Sequence, residues 1–233
     1  MKIISYQFSG HSDVILNDFD YIFIQRCPGP FYDFLKSIHL KGYYTEYIKN
    51  FAEKGLCIVS KEPIEVETYK FKNYAGNNPN QGKHYQITYI DGIKFINAGI
   101  SSRCRIKVIN AGISFPDKII PLEIYTSQVS EVMDLVDDNT ILLGDFHNKD
   151  CDFPDELNLD KRNLMNHVHS NTYQQIKHDS HMHISIDVQE LWLDSLDKII
   201  TTKKCPFIIE GVKVLEHKST NERIHFPVSF YVR

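Results

Sequence analysis

The sequence predicts an α/β fold in which two packed β-sheets carry helices on their outer faces. Three observations support this. Short runs rich in Ile, Val, Phe and Tyr recur along the chain, each stopped by Gly, Pro or Asn. Helical spacing is confined to a few well-separated segments, the pattern of sheets packed on each other with helices outside. No low-complexity linker interrupts the 233 residues, and 42% of them are hydrophobic, enough for a substantial core. Residues 1–233 are therefore read as a single domain.

Residues 3–8 read as a first strand and 20–25 as a second, closed by Cys27-Pro28-Gly29-Pro30. Phe31, Phe34, Leu35 and Ile38 share one face of a helix over 31–40. Residues 55–60 form another short apolar strand, stopped at Glu62-Pro63, and 77–82 are a loop by composition. The strands 84–90 and 93–100 flank Asp91-Gly92, a two-residue hairpin signal. A further strand is read over 105–115. It repeats the pentapeptide Ile-Asn-Ala-Gly-Ile of 96–100 at 109–113, a match too short for a repeat architecture. Leu122, Tyr125, Val129, Val132, Met133 and Val136 mark an amphipathic helix that starts after Pro121 and leads into a strand at 141–145. Residues 149–190 are polar and His-rich, read as a long loop region with a short helix near 161–168. Strands follow at 196–201, 207–215 and 226–232.

A net charge of −4 argues against a protein that coats nucleic acid by bulk electrostatics. It leaves room for a local basic rim, with Arg103, Arg105 and Lys107 as one candidate and Lys203 and Lys204 as another. Ordinary solvated surface is the simpler account of both groups. The five cysteines are odd in number, widely spaced and in no C-x-x-C pair, which favours reduced thiols and an intracellular protein. The N-terminal apolar run is too short for a signal peptide, and no stretch reaches transmembrane length, so no membrane association is expected. The abundance of Ile, Asn, Lys and Tyr suits an AT-rich genome such as a viral or parasitic one.

The most informative segment is Ile141-Leu142-Leu143-Gly144-Asp145-Phe146-His147-Asn148. A buried strand ends in glycine and at once delivers a carboxylate to the rim of a site. Around it stand Ser5-Tyr6-Gln7, Phe23-Ile24-Gln25-Arg26, the strand 55–60, Ile109 to Ile113, Asn171-Thr172-Tyr173, Leu196-Asp197-Lys198-Ile199-Ile200 and Ile224-His225-Phe226-Pro227-Val228. In this order the landmarks resemble those of the endonuclease/exonuclease/phosphatase superfamily, the deoxyribonuclease I-like phosphodiesterases, over almost the whole chain. The resemblance implies a four-layer α/β/β/α sandwich of two packed, mostly antiparallel sheets flanked by helices.

It also implies a metal-dependent phosphodiesterase site, and here the chain departs from the pattern. The family's N-terminal asparagine, which helps hold Mg²⁺, is Gln7, with its amide on a longer arm. The glutamate that is the principal metal ligand is Arg26. The mid-chain histidine is glycine in either register, Gly99 or Gly112, and the aspartate before the terminal histidine is Ile224, so His225 loses its orienting carboxylate. His147 stands where the signature has asparagine, although Asn148 follows. Asp145, Asp197 and His225 survive. Reversing one charge beside a cation is a large change, since a unit pair at ~4 Å is worth ~4 kcal/mol even at an effective dielectric of ~20. Arg26 can instead replace the metal as a fixed cation that grips phosphate, or swing out to solvent.

Other constellations are weaker. His147, His167, His169, His178, His181 and His183 crowd one region, with Cys151 and Asp179 near, but in no standard zinc spacing. Thr172 and Tyr173 fall where the family contacts substrate, and a strand-edge packing pair is the alternative. Trp192 reads as core. No phosphate-binding Gly-rich loop, Gly-x-Ser-x-Gly or His-Glu-x-x-His motif occurs.

The sequence thus favours a weakened or inactive pseudoenzyme that binds a nucleic acid, a phosphate-bearing ligand or a protein partner through the old cleft, with Arg26, Thr172 and Tyr173 on the ligand. The alternative is an active phosphodiesterase or nuclease that uses Mg²⁺ or Mn²⁺. Asp145, His147, Asn148, Asp197 and His225 would then form a rearranged site, with Asp145 and Gln7 on the metal.

Overall fold

The computed structural model describes residues 1–8, 19–38, 44–49, 54–73, 84–100, 122–146, 155–168, 172–175, 190–193, 197–215 and 223–233. At 34–38, 49, 54, 122, 172–175, 190–193 and 223–225 only the backbone is described. The strands β1 (Lys2–Gln7), β2 (Tyr21–Pro28), β3 (Tyr44–Lys49), β4 (Lys54–Ser60), β13 (Ile209–Val214) and β15 (Val228–Val232) form a six-stranded sheet in the order β13-β15-β1-β2-β4-β3. A second sheet takes β5 (Val66–Lys70), β6 (His84–Ile90), β7 (Ile93–Gly99), β8 (Thr140–Asp145), β9 (Leu164–Asn166) and β12 (Asp197–Thr202) in the order β5-β6-β7-β8-β12-β9. Pairing is antiparallel throughout, except that β1 runs parallel to β2 and β7 parallel to β8. A small antiparallel sheet joins β10 (Thr172–Gln175) to β11 (Glu190–Leu193) and β14 (Arg223–His225).

Side-chain alternation along the strands sorts the apolar residues into three cores. Ile3, Phe23, Ile58, Val228 and Phe230 of the first sheet meet Phe95, Ile141, Leu143 and Ile199 of the second. The Phe23 and Phe95 rings stack across this interface with centroids 5.3 Å apart. On the outer face of the first sheet, Ile4, Tyr6, Ile22, Ile24 and Val59 pack with Phe31 of helix α1 (Gly29–Ile38). On the outer face of the second, Ile96, Ala98, Leu142 and Ile200 pack with Tyr125, Val129, Val132 and Met133 of α2 (Leu122–Met133). The layers are therefore helix, sheet, sheet, helix, as the sequence predicts. β8 is buried at all six positions, because its two faces serve two different cores.

Most expected elements are present. The 91–92 hairpin closes with φ of 50° at Asp91 and 79° at Gly92, the two positive values a type I′ turn needs. The second strand runs on to Pro28 through a bulge rather than stopping at residue 25. One expectation is corrected. No helix forms at 161–168: a single 3₁₀ turn at Asp155–Leu157 leads into β9, which pairs with β12. Asn163 adopts φ of 58°, which ends the helical path, and Leu164 then enters the α2 core. Strands β10 and β11 also occupy part of the region read as a loop. The 77–82 loop and the 105–115 strand lie outside the described residues. Cys27, Cys57 and Cys205 are free thiols. Burial, and then the neighbouring Cys27, push the Cys57 thiol well above its ordinary range, which suits an inert core residue. Among the described residues no helix is long and apolar enough to cross a membrane.

Candidate functional site

The two parallel pairs set the site. In a parallel pair both strands end on the same side, so β1 and β2 bring Gln7 opposite Gln25, while β7 and β8 bring Gly99 opposite Asp145. The antiparallel β12 begins at that level and places Asp197 opposite Asp145. Alternation then decides which way these residues face. Ile3, Phe23, Phe95, Leu143 and Ile199 fill the space between the sheets, so Ser5, Gln7, Gln25, Asn97, Gly99, Asp145 and Asp197 lie on the same inner faces. The apolar core between the sheets thus changes at one end into a polar strip.

Hydrogen bonds across the sandwich confirm the level. Gln25 Nε2 donates to Asn97 Oδ1 at 2.8 Å, and Asn97 Nδ2 donates to Gln86 Oε1 at 3.2 Å. Gln25 Nε2 also lies 3.4 Å from Ser5 Oγ. Because the Gln25 amide nitrogen is committed to Asn97, its orientation is set and Oε1 is left over. Gln25 Oε1 and Gln7 Oε1 are both buried, and among the described residues neither accepts a hydrogen bond. Two buried acceptors on one strip with no donor among the described residues are unusual, since buried polar atoms are nearly always paired.

Asp145 and Asp197 are 3% and 5% exposed, on directly paired positions. Like charges placed so are destabilising unless donors or cations lie against them. Neither stands isolated, as each has further polar or electrostatic neighbours.

Arg26 is exposed, with φ of 54°. The β2–β4 register passes from Ile24 opposite Cys57 to Cys27 opposite Gly55, so Gln25 and Arg26 together face Leu56. That is a bulge with one extra residue in β2. It turns Cys27 onto the outer face with Ile22 and Ile24 and leaves Arg26 as the residue displaced toward solvent, directly after the inward-facing Gln25. Among the described residues no ion pair or hydrogen bond engages its guanidinium.

Of the other residues singled out in the sequence, the backbone of His225 ends β14 opposite Thr172, three residues before Val228, which pairs with Ser5. Tyr173 pairs with Ile224 on the same ladder and with Trp192 on the other side. The small sheet therefore leads into the first sheet next to the strip. His147 and Asn148 lie outside the described residues, as do Gly112, Cys151 and His169 to His183. His167 Nε2 lies 2.9 Å from Thr201 Oγ1, a partner on β12. Among the described residues no group of three His, Cys, Asp or Glu side chains could hold a metal. Asn97 and Gln86 go unmarked in the sequence, although Asn97 sits in the repeated Ile-Asn-Ala-Gly-Ile, and Gln25 is marked there only as part of the Phe23-Ile24-Gln25-Arg26 landmark, with no role of its own. An open groove of about 730 Å³ lies elsewhere, on the α2 flank, where Glu123, Glu131, Asp134 and Glu156 would repel a phosphate.

No family model and no curated protein matches the sequence. Solved structures match over its whole length. The 3′ phosphatase NExo from Neisseria, bound to a product DNA hairpin, is 15% identical with a TM-score of 0.63, covering 100% of this chain and 99% of its own. D. rerio TDP2, complexed with a single-strand DNA product, is 12% identical with a TM-score of 0.60, covering 100% and 98%. An endonuclease/exonuclease/phosphatase family protein from Bacteroides thetaiotaomicron is 14% identical with a TM-score of 0.63, covering 100% and 97%. The chain has the fold of the endonuclease/exonuclease/phosphatase superfamily, the deoxyribonuclease I-like proteins.

That superfamily implies a divalent metal. Oxygen donors suit Mg²⁺ or Mn²⁺, and the strip supplies two carboxylates and two buried amide oxygens. The glutamate expected after Gln25 is instead a guanidinium, and no third acidic or histidine side chain joins the pair among the described residues. These residues do not make up the family's ordinary metal site.

Proposed function

We propose that the chain is a divergent deoxyribonuclease I-like protein, catalytically weakened or inactive, that binds a phosphate-bearing ligand, foremost a nucleic acid, at the polar end of its sandwich. The observation that carries this reading is Arg26. It replaces the charge that a metal needs with one that a phosphate needs, and the bulge leaves it exposed beside the inward-facing Gln25. A guanidinium fork matches phosphate geometry. Thr172, Tyr173 and His225 share one ladder next to the strip and would extend the contact surface. The DNA-bound state of two structural neighbours supports nucleic acid as the ligand class. A protein partner on the same surface is a less specific form of the proposal.

The test is cleavage of supercoiled plasmid and of a single-stranded oligonucleotide with Mg²⁺, Mn²⁺ or EDTA, beside binding of the same oligonucleotide by fluorescence anisotropy. Wild type is expected to cleave no faster than Asp145→Ala or His225→Ala. Arg26→Ala is expected to weaken binding by roughly tenfold or more, the size of one charge-assisted hydrogen bond. EDTA-sensitive cleavage lost in both variants would overturn the pseudoenzyme reading, and binding indifferent to Arg26 would remove its role.

A second reading is favoured by the retained pair of carboxylates on adjacent strands. In it the chain is an active metal-dependent phosphodiesterase, with Asp145, Asp197, His147, Asn148, His225 and Gln7 around Mg²⁺ or Mn²⁺. Thermal stabilisation by either ion, lost in Asp145→Ala, would support it, since a ligand selective for the native state raises stability.

A further inference from the structure

Asp145 is held on both sides, by Gly99 of β7 and by Asp197 of β12. β7 ends at Gly99 and β12 begins at Asp197, so among the described residues the ladder on β8 ends at Asp145. The next residue, Phe146, turns its fully buried ring into the core under α2. Tyr125, fully buried in the same core, donates its hydroxyl to the Phe146 carbonyl oxygen at 2.7 Å. That carbonyl belongs to the peptide joining Phe146 to His147. A buried carbonyl at a strand end needs such a partner, and here a helix of another layer supplies it.

We infer that Tyr125 is a positioning residue for the candidate site: through the Phe146 carbonyl it sets how the chain leaves β8, and with it the placement of Asp145. The site would then depend on the packing of α2 as well as on the strands that bear it. The functional arm of this inference rests on the ligand-binding reading above; the structural arm does not.

Tyr125→Phe removes the hydroxyl and keeps the ring, so the core volume is conserved. Tyr85→Phe is the control, because it removes a hydroxyl from the same core, 3.5 Å from Glu131, without touching Phe146. Amide exchange in a peptide covering residues 144–149 is expected to quicken about fivefold to tenfold in Tyr125→Phe, as the loss of one hydrogen bond implies, and to stay at the wild-type rate in Tyr85→Phe. Affinity for a 5′-phosphorylated, fluorescent single-stranded oligonucleotide is expected to fall severalfold in Tyr125→Phe alone. Unchanged exchange in Tyr125→Phe, or equal quickening in both variants, overturns the inference. Faster exchange with unaltered affinity overturns the link to the site. Wild type that binds no oligonucleotide counts against the ligand-binding reading, and the exchange comparison still decides whether Tyr125 grips the strand exit.

Discussion

Asn97 is fully buried, and its side chain joins the two sheets: it accepts from Gln25 of one and donates to Gln86 of its own. Removing it leaves Gln86 Oε1 without this donor and Gln25 Nε2 with only the longer contact to Ser5 Oγ, in a site closed to water. Asn97→Ala should therefore cost about 1–3 kcal/mol, the penalty of stranding buried polar groups. Chemical denaturation would measure it. The double variant Gln25→Met/Asn97→Leu, which removes donor and acceptor together, should recover part of the loss. Additive losses in that cycle would show that the amide pair is not coupled. The sequence marks Asp145 and the Gln25-Arg26 pair through their landmarks, but gives Asn97 no standing and Gln25 no role of its own. Their partnership spans 72 residues and exists only once the two sheets stack.

At the level of the element, β8 is the strand on which the site depends, and Gly144 shows how tightly it is set. A methyl group at Gly144 would lie 2.9 Å from the Ala98 carbonyl oxygen of the parallel strand β7 and 3.3 Å from the Phe146 ring. Backbone of a paired strand cannot move aside as a flexible side chain can. Gly144→Ala is expected to destabilise the protein by about 1–3 kcal/mol, which for a chain of this size lowers the thermal midpoint by roughly 2–10 °C. A midpoint within a degree of wild type would refute the account. The glycine of the Gly-Asp signature is thus explained by close packing of strands, a role legible from the sequence only as a preference for glycine. β9 teaches the converse. Its three residues follow Asn163 in the left-handed region, and their strand character comes from pairing with β12 rather than from their own alternation.

Across the whole molecule, stability should respond to pH through His84, the first residue of β6. Burial, and then the nearby Lys70, hold its imidazole below the ordinary value of 6.5. The unfolded chain then binds the proton at a higher pH than the folded one. In the window from about 6.5 down to the lowered folded value the unfolded state carries more protons, so stability is complete above the window and is lost as pH falls through it. Thermal midpoints measured from pH 8 to pH 5 should fall in that range, and His84→Gln should flatten the fall. A variant curve parallel to wild type would assign the dependence to other groups. The architecture itself gains little from any one titration, because its three apolar cores are shared among four layers.

By itself the sequence determined the layer architecture, the hairpin at Asp91-Gly92, the two outer helices and the strand that ends in Asp145. Each of these is a local matter of periodicity, turn chemistry and stop signals, supplemented by the order of family landmarks. Only the tertiary structure decided that Gln25 turns inward while Arg26 is displaced outward, that Asp145 and Asp197 lie side by side, and that Tyr125 holds the strand exit. Those facts depend on register, on a one-residue bulge and on contacts between distant layers. Nothing in a single strand's composition encodes which residue will stand opposite it.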